Sequence, residues 1–211
     1  MKIVVATRNP GKVREFVEIL AEYPDLELVG LSESGLSESA EEDAVEAFET
    51  FEENALAKAR YYAAQLGMSV LADDSGLCVD ALGGAPGVRS RRFAPGVTER
   101  GYAQDLANNE YLLELLRGVS GGDRGAAYRC AVAYADPSGS AFVVTGECRG
   151  RILEAPRGDG GFGYDPLFMP LGEECSFGEL LPEQKHRISH RGRASRAAAE
   201  RLSAPHDARL R

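Results

Sequence analysis

Three features that would mark a membrane, secreted or zinc-binding protein are missing from this sequence. No apolar run among its 211 residues approaches the roughly 18 residues that a membrane helix needs. The apolar stretch at residues 3–6 is too short for a signal peptide, so we expect a cytoplasmic protein that is not secreted. No C-x-x-C pair occurs, which argues against a zinc knuckle, and we expect structural thiols rather than disulfides at Cys78, Cys130, Cys148 and Cys175.

Basic residues are outnumbered and unevenly distributed. The chain has 24 Lys and Arg against 33 Asp and Glu, a net charge of −9, which argues against a general nucleic-acid binder. Residues 15–57 contain fourteen acids and no Lys or Arg, whereas residues 185–201 contain six Lys and Arg and one acid. Two interpretations fit: a solvated acidic face with an exposed basic helix, or one wall that holds a metal ion and another that binds phosphates.

The hydrophobic pattern predicts a mixed α/β protein. Thr50 opens a capping box for a long helix that ends at Gly67. Further helices are predicted from Pro10 and over residues 98–116 and 189–202. Strands are predicted at residues 2–6, 26–30, 69–72, 77–82, 126–135 and 141–149. Length and pattern together indicate a single domain, residues 1–211, with a sheet that is partly antiparallel.

The predicted first strand is followed directly by a polar turn at residues 7–12, with the pattern Thr-x-Asn-x-x-Lys. The N–H groups at a helix N-terminus and the helix dipole favour an anion, and Thr7, Asn9 and Lys12 add donors. The Walker A pattern G-x-x-x-x-G-K-[ST] is absent. A plain turn therefore stays open as the alternative to a phosphate site.

An acidic pair follows the strand at residues 69–72. Asp73 and Asp74, with Ser75 after them, are predicted to stand at the strand end, where open α/β sheets bind ligands. Two adjacent acids are costly to bury without partners. Because magnesium prefers carboxylate oxygens together with substrate phosphates, this segment is a candidate metal site.

Charges also mark two helix starts. Glu46 precedes the Thr50 helix by one turn and Lys58 lies inside it, which an ordinary charged helix also explains. His190 and Arg191 stand in the first turn of the last predicted helix. Cations at a helix N-terminus oppose its dipole, so we expect a ligand or an acidic partner there, with a basic surface turn as the alternative.

The glycine-rich segment at residues 158–166 contains a literal G-x-G-x-x-G. The dinucleotide-binding interpretation fails, because Pro156 separates the segment from any strand and Pro166 disfavours a following helix. What remains is a flexible backbone that presents Phe162 and Tyr164, on which a planar base can stack.

Together these motifs resemble, from end to end, the inosine/xanthosine triphosphate pyrophosphatases. The matching patterns are T-x-N-x-x-K at 7–12, T-F-x-E-N-A-x-x-K-A at 50–59, A-D-D-S-G-L at 72–77, G-G-A-P-G-V at 83–88, G-G-F-G-Y-D-P at 160–166 and I-S-H-R-G at 188–192. The resemblance implies an elongated α/β protein with a mixed sheet flanked by helices, two lobes with the active site in the cleft between them, and usually a homodimer. It implies magnesium-dependent hydrolysis of ITP, dITP and XTP to the nucleoside monophosphate and pyrophosphate.

The resemblance also assigns roles to residues. Asp74 is expected to be the proton acceptor and a magnesium ligand together with Glu46, supported by Asp73, and Ser75 is expected to contact the substrate. The expected triphosphate ligands are Thr7, Arg8, Asn9, Pro10, Gly11 and Lys12, with Lys58 nearby. The expected base pocket consists of Phe162, Gly163, Tyr164, Asp165, Lys185, His190 and Arg191.

Two departures from the family pattern stand out. Arg89 and Arg91 occupy positions where the family commonly has Tyr and Ala, and the segment before Glu46 is a few residues longer, which leaves Glu42 and Glu49 as alternative metal ligands. Two other functions stay open. One is a pyrophosphatase for modified pyrimidine nucleotides on a related fold, and the other is a non-catalytic module that binds a triphosphate.

Overall fold

The computed structural model of the chain describes residues 1–36, 45, 47–98 and 101–204. Within them the strands are β1 Lys2–Val5, β2 Glu27–Gly30, β3 Val70–Val79, β4 Gly125–Ala135, β5 Ala141–Ile152 and β6 Phe168–Pro170. The helices are α1 Pro10–Leu20, α2 Phe51–Leu66, α3 Tyr102–Leu115, α4 Pro182–Ile188 and α5 His190–Ser203. Over the same residues, no helix is both long and apolar enough to cross a membrane.

These strands form one mixed sheet in the order β2-β1-β3-β4-β5-β6. β1 runs parallel to β2 and to β3, and the intervening connections contain α1 and α2, because parallel strands need a crossover rather than a tight turn. β5 runs antiparallel to β6. The prediction of an α/β protein with a partly antiparallel sheet is therefore confirmed.

The chain divides into two compact units. The first consists of Met1–Asp74, Cys130–Gly146 and His190–Arg211, and the second of Ser75–Arg129 and Glu147–Ser189. The chain passes from one unit to the other inside β3, β4 and β5 and at the junction of α4 with α5. Each unit has a hydrophobic core of its own.

In the first unit residues 3–5 of β1 are buried on both faces, as their apolar sequence predicts. Ile3 and Val5 belong to a cluster with Phe16 of α1 and with the apolar side of α5. Val4, which points to the opposite face, packs with Ala59 and other residues of α2. The sheet of this unit is therefore covered by α1 and α5 on one face and by α2 on the other.

The second unit is built around one cluster. Leu77 and Val79 of β3 pack there with Leu112 of α3 and with Phe168 of β6. The ring of Tyr128 meets the ring of Phe168 edge to face, with 4.8 Å between the ring centroids. Buried aromatic area of this kind dominates the stabilisation of a small core.

The predicted helix boundaries agree best with the structure where a capping residue marks the end of the helix. The Thr50 side chain accepts the Glu53 N–H at the start of α2, and Gly67 ends that helix in the left-handed conformation. The strand predicted at residues 77–82 is wrong, because β3 continues unbroken to Val79 and a 3-10 turn follows at Asp80–Leu82. Helix α4 was not predicted, since seven residues are too few to display a helical period.

All four cysteines are free thiols. Cys130 is fully buried in β4, where burial and then the charge of Asp73 raise the pKa of its thiol to about 12. At neutral pH this thiol is protonated and is not a nucleophile.

Candidate active site

Asp73 and Asp74 lie in the middle of β3 rather than at its end, which corrects the prediction. Successive side chains of a strand point to opposite faces of the sheet. Leu71, two residues before Asp73, packs on the side of α1 and α5. Ala72, two residues before Asp74, packs on the side of α2. The two carboxylates therefore have different surroundings although they are neighbours in the sequence.

Asp73 is the buried member of the pair, with 1% of its surface exposed. Its Oδ2 lies 3.0 Å from Lys12 Nζ, 3.2 Å from Arg191 Nε and 3.0 Å from Arg191 Nη2. Burial by itself would raise the pKa of Asp73, but the charges of Lys12, Arg191 and Lys58 together outweigh burial and hold that pKa well below its usual range. Asp73 is therefore ionised throughout the physiological pH range and holds cations in place.

Arg191 connects α5 to β3 and to α1 through one carboxylate on each. Its guanidinium is buried, donates to Asp73, and donates through Nη1 to Glu15 of α1. Burial would lower the pKa of Arg191, but Asp73 and Glu15 raise it above its ordinary value. The acidic partner expected for the cations at this helix start is thus confirmed.

The polar turn at residues 7–12 leads into α1, as predicted. Asn9 Oδ1 accepts the N–H groups of Gly11 and Lys12 at 2.8 Å and 3.3 Å, and Thr7 Oγ1 accepts the Asn9 N–H at 3.2 Å. The Asn9 cap therefore occupies the backbone N–H groups of Gly11 and Lys12, which the sequence analysis expected to favour an anion. Positive charge comes instead from side chains, including Lys12, whose side chain is 17% exposed. A pocket beside the turn is lined by Thr7, Arg8, Pro10, Val13, Arg14 and Ser32.

Asp74 is half-buried and is held by an amide. Asn54 of α2, itself 2% exposed, donates from Nδ2 to Asp74 Oδ2 at 3.0 Å. The same side chain donates to the carbonyl of Phe48 at 3.1 Å and accepts the Phe48 N–H at 2.9 Å. Ser75, the next residue along β3, is also half-buried. Asp74 is thus a carboxylate that is oriented by the protein and partly open to solvent.

The second predicted metal ligand, Glu46, lies outside the described residues, as does Glu42, whereas Glu49 is described and exposed. Among the residues that the structure does describe, no group of three or more His, Cys, Asp or Glu side chains is placed to hold a metal ion. Asp74 nevertheless fits the donor chemistry of a hard cation, since such an ion takes one or two carboxylates and completes its shell with water and substrate oxygens.

Gly76, immediately after the acidic segment, is required by a close approach of the backbone. A Cβ atom there would lie 2.4 Å from the Gly87 carbonyl oxygen and 2.4 Å from Ser90 Oγ. Ser90 lies in the 3-10 turn Gly87–Arg92, which also carries the exposed side chains of Arg89 and Arg91. The two arginines that depart from the family pattern therefore project from a turn packed tightly on β3.

In the second unit Lys185 meets the glycine-rich loop, defined here as residues 158–165. Lys185 Nζ lies 2.6 Å from Asp165 Oδ2, and the same oxygen accepts the Phe162 N–H at 2.9 Å. The ammonium also lies 5.0 Å from the centroid of the Phe162 ring, within cation–π distance. Three of the residues predicted for the base pocket are thus brought together.

Tyr164 differs from the prediction that both aromatic residues of the loop are presented to a ligand. Only 3% of Tyr164 is exposed, and its ring belongs to the core of the second unit. Its hydroxyl donates to the Ser90 carbonyl at 2.8 Å. Tyr164 therefore anchors the glycine-rich loop, while Phe162 is half-buried.

Two further residues predicted for the base pocket belong to the first unit. His190 and Arg191 are 4% and 2% exposed and open α5. Ser189, directly before α5, is the C-terminal cap of α4, and its N–H donates to the Lys185 carbonyl at 2.8 Å. The contribution of His190 and Arg191 to base binding stays a prediction.

Sequence reasoning missed four side chains that shape these sites. Asn54 stands inside the T-F-x-E-N-A block, but an Asn in the first turn of a helix has no pattern that reveals its target. Glu15 was one acid within a long acidic stretch. Asp105 and Asn109 of α3 bind the backbone of Gly163, and their spacing of four residues is the one signal that places them on a common helix face.

The described residues define an α/β protein in which an acidic pair of β3 lies beside cations of neighbouring helices. The sequence matches the Ham1 family over residues 3–201. It is 47% identical over 193 residues to the dITP/XTP pyrophosphatase of Geobacter sulfurreducens, covering 92% of each chain. It is 48% identical over 200 residues to the dITP/XTP pyrophosphatase of Thermus thermophilus, covering 95% of this chain and 91% of that one.

Among solved structures, the Staphylococcus aureus Ham1 protein matches with a TM-score of 0.79 and 37% sequence identity. The match covers 96% of this chain and 98% of that one. The chain therefore belongs to the Ham1 family, and the resemblance inferred from its motifs is confirmed.

Proposed function

We propose that this chain is a nucleoside triphosphate pyrophosphatase that removes non-standard purine nucleotides from the nucleotide pool. It hydrolyses ITP, dITP and XTP between the α- and β-phosphates and releases the nucleoside monophosphate and pyrophosphate. Relatives named dITP/XTP pyrophosphatase support this assignment, since they are 45–48% identical over more than nine tenths of the chain.

The observation that carries the proposal at the level of residues is the asymmetry of the acidic pair. Asp73 is buried and is bound to Lys12 and Arg191, so it fixes cations. Asp74 is partly exposed and is oriented by Asn54, which suits a group that accepts a proton from the attacking water. Phosphoryl transfer needs chiefly positioning and charge neutralisation. The neighbouring cations supply part of the charge neutralisation.

Nucleotide pyrophosphatases generally depend on a metal ion, and we propose Mg²⁺ for this one. Asp74 and Glu46 would hold it, and when bound it would neutralise charge on the phosphates. The chain's own cations bind the triphosphate: Lys12 and Lys58 through their ammonium groups, and the turn at residues 7–12 through its side chains.

For the base we propose the cationic residues and Phe162. Hypoxanthine and xanthine carry an acceptor oxygen at C6, where adenine carries an amino donor. Donors from Lys185, His190 and Arg191 match the oxygen and would be left unpaired by adenine, a mismatch that can reject an analogue by up to roughly 10,000-fold. Phe162 would stack on the base, which is worth about 1–3 kcal/mol by truncation.

The deciding experiment is pyrophosphate release with Mg²⁺ across a nucleotide panel. The panel contains ITP, dITP and XTP, the standard ATP and GTP, and modified pyrimidine triphosphates. We expect kcat/KM to be highest for the three non-standard purines. Preference for pyrimidines would replace the proposal with a pyrimidine pyrophosphatase, and binding without pyrophosphate release would replace it with a binding module.

We also propose that the protein works as a cytoplasmic homodimer whose partner is its nucleotide substrate rather than nucleic acid or a membrane. This part follows from the family resemblance and from the net charge of −9. Sedimentation equilibrium of the purified chain tests it, and a monomer at micromolar concentration would contradict the dimer.

A further inference from the structure

The glycine-rich loop needs external support to hold one conformation. Gly158, Gly161 and Gly163 have positive φ angles of 75°, 75° and 62°, which glycine adopts at the expense of a large loss of chain entropy on ordering. One side of the loop is held by Asp165, which binds both the Phe162 N–H and Lys185. That contact leaves the peptide groups of Gly163, next to Phe162, to be held by another element.

Helix α3 holds them. The Gly163 N–H donates to Asp105 Oδ2 at 2.8 Å, and the Gly163 carbonyl accepts from Asn109 Nδ2 at 3.0 Å. Asp105 and Asn109 are four residues apart and therefore lie on the same face of α3. An acceptor and a donor, one helical turn apart, thus match the donor and the acceptor of a single residue.

The amide of Asn109 is only half used in hydrogen bonding. Its Oδ1 is buried, and no donor in the described part of the chain reaches it. A buried acceptor without a partner is unfavourable, so packing alone gives no reason to place an amide there. Within the described residues, the hydrogen bond from its Nδ2 to the Gly163 carbonyl gives such a reason. α3 itself packs in the hydrophobic core of the second unit through Leu112. This packing supports the positions of Asp105 and Asn109.

We infer that Asp105 and Asn109 form a clamp on Gly163 that positions Phe162 together with the Lys185 ammonium beside its ring, and thereby sets how well the enzyme distinguishes one purine base from another. They are positioning residues, since they act through the loop and not on the substrate. The inference rests on the proposed function, in which Phe162 and Lys185 bind the base.

The test compares Asp105→Ala, Asn109→Ala and Asp105→Asn with the intact enzyme. Asp105→Asn keeps an oxygen acceptor for the Gly163 N–H and should preserve function. Glu110→Ala is the matched control, because Glu110 is the exposed neighbour of Asn109 on the same helix. Each variant is first shown to be folded by its thermal unfolding curve.

Three measurements separate positioning from general damage. We expect each alanine variant to raise KM for ITP and to lower the ITP-to-ATP ratio of kcat/KM by roughly tenfold, the effect of one lost hydrogen bond. Inhibition by inorganic tripolyphosphate, which has no base, should be unchanged. Hydrogen exchange of a peptide covering residues 158–165 should be faster in both alanine variants than in Glu110→Ala.

The possible failures point to different conclusions. Folded alanine variants with the wild-type ITP-to-ATP ratio would overturn the clamp while the proposed function stands. Weakened tripolyphosphate inhibition in step with the loss of ITP turnover would also overturn it, because the effect would then not be specific to the base. A wild-type enzyme that releases no pyrophosphate from any purine triphosphate would overturn the proposed function itself.

Discussion

The side chain of Asn54 donates to Asp74, with 3.0 Å between Nδ2 and Oδ2, and the same amide binds both backbone groups of Phe48. One buried amide therefore couples the orientation of Asp74 to the chain segment just before α2. Phe48 stands two residues after Glu46 in the sequence, so Asn54 connects Asp74 to the segment that carries the second proposed metal ligand.

Asn54→Ala should lower pyrophosphate release from ITP by about 10- to 100-fold, the usual effect of removing a residue that orients a metal ligand. The measurement is kcat at saturating ITP and magnesium. Thr50→Ala is the control, because it removes the cap of the same helix without a contact to Asp74. If Thr50→Ala loses as much activity as Asn54→Ala, the effect is helix stability and not orientation.

Asp74→Asn should lower kcat by about 100- to 10,000-fold, because it removes the proposed general base and weakens the metal site while preserving size. The rate is measured at magnesium concentrations high enough to saturate the variant. Wild-type turnover under those conditions would show that another group accepts the proton.

Glu46→Gln should increase the magnesium concentration required for half-maximal pyrophosphate release, since a neutral amide binds a hard cation more weakly than a carboxylate does. The magnesium dependence of the rate is compared with that of Glu49→Gln. If Glu46→Gln leaves the magnesium dependence unchanged, Glu46 is not the ligand. A shifted dependence for Glu49→Gln would then assign the ligand to Glu49, and an unshifted one would assign it to Glu42.

Asp73→Asn should reduce the free energy of unfolding at neutral pH by about 3–5 kcal/mol, because Lys12 and Arg191 lose their buried anion. The pKa of Asp73 is lowered in the folded state, so its stabilising contribution is present above the unfolded value of roughly 4. It is lost as pH falls through the folded value. Urea unfolding between neutral and acidic pH should therefore show a smaller fall in stability for the variant, and parallel curves would contradict this.

Arg191→Ala should lower stability and narrow the gap between ITP and ATP in kcat/KM. The first effect follows from the loss of the partner of Asp73 and Glu15, and the second from the proposed base contact. Arg193→Ala, an exposed arginine of the same helix, is the control. A destabilised but folded Arg191→Ala with an unchanged ITP-to-ATP ratio would assign Arg191 to the carboxylates alone.

Local chemistry was sufficient to predict most of the elements and the family. Three features depend on interactions within a few residues: the capping box at Thr50, the helix end at Gly67 and the apolar run at residues 3–5 of β1. Interactions of this kind can be predicted from the sequence. The ordered motifs, from residues 7–12 to residues 188–192, were enough to identify the family and hence the chemistry.

Only the tertiary structure decided what neighbouring residues do. Sequence treats Asp73 and Asp74 as one acidic pair, but a continuous β3 sends them to opposite faces, one to a buried ion network and the other to an amide and solvent. Arg191 reaches Asp73 across 118 positions of sequence, and Asp105 reaches Gly163 across 58. These partners are set by how helices pack on the sheet, and packing depends on contacts between distant segments that no local pattern encodes.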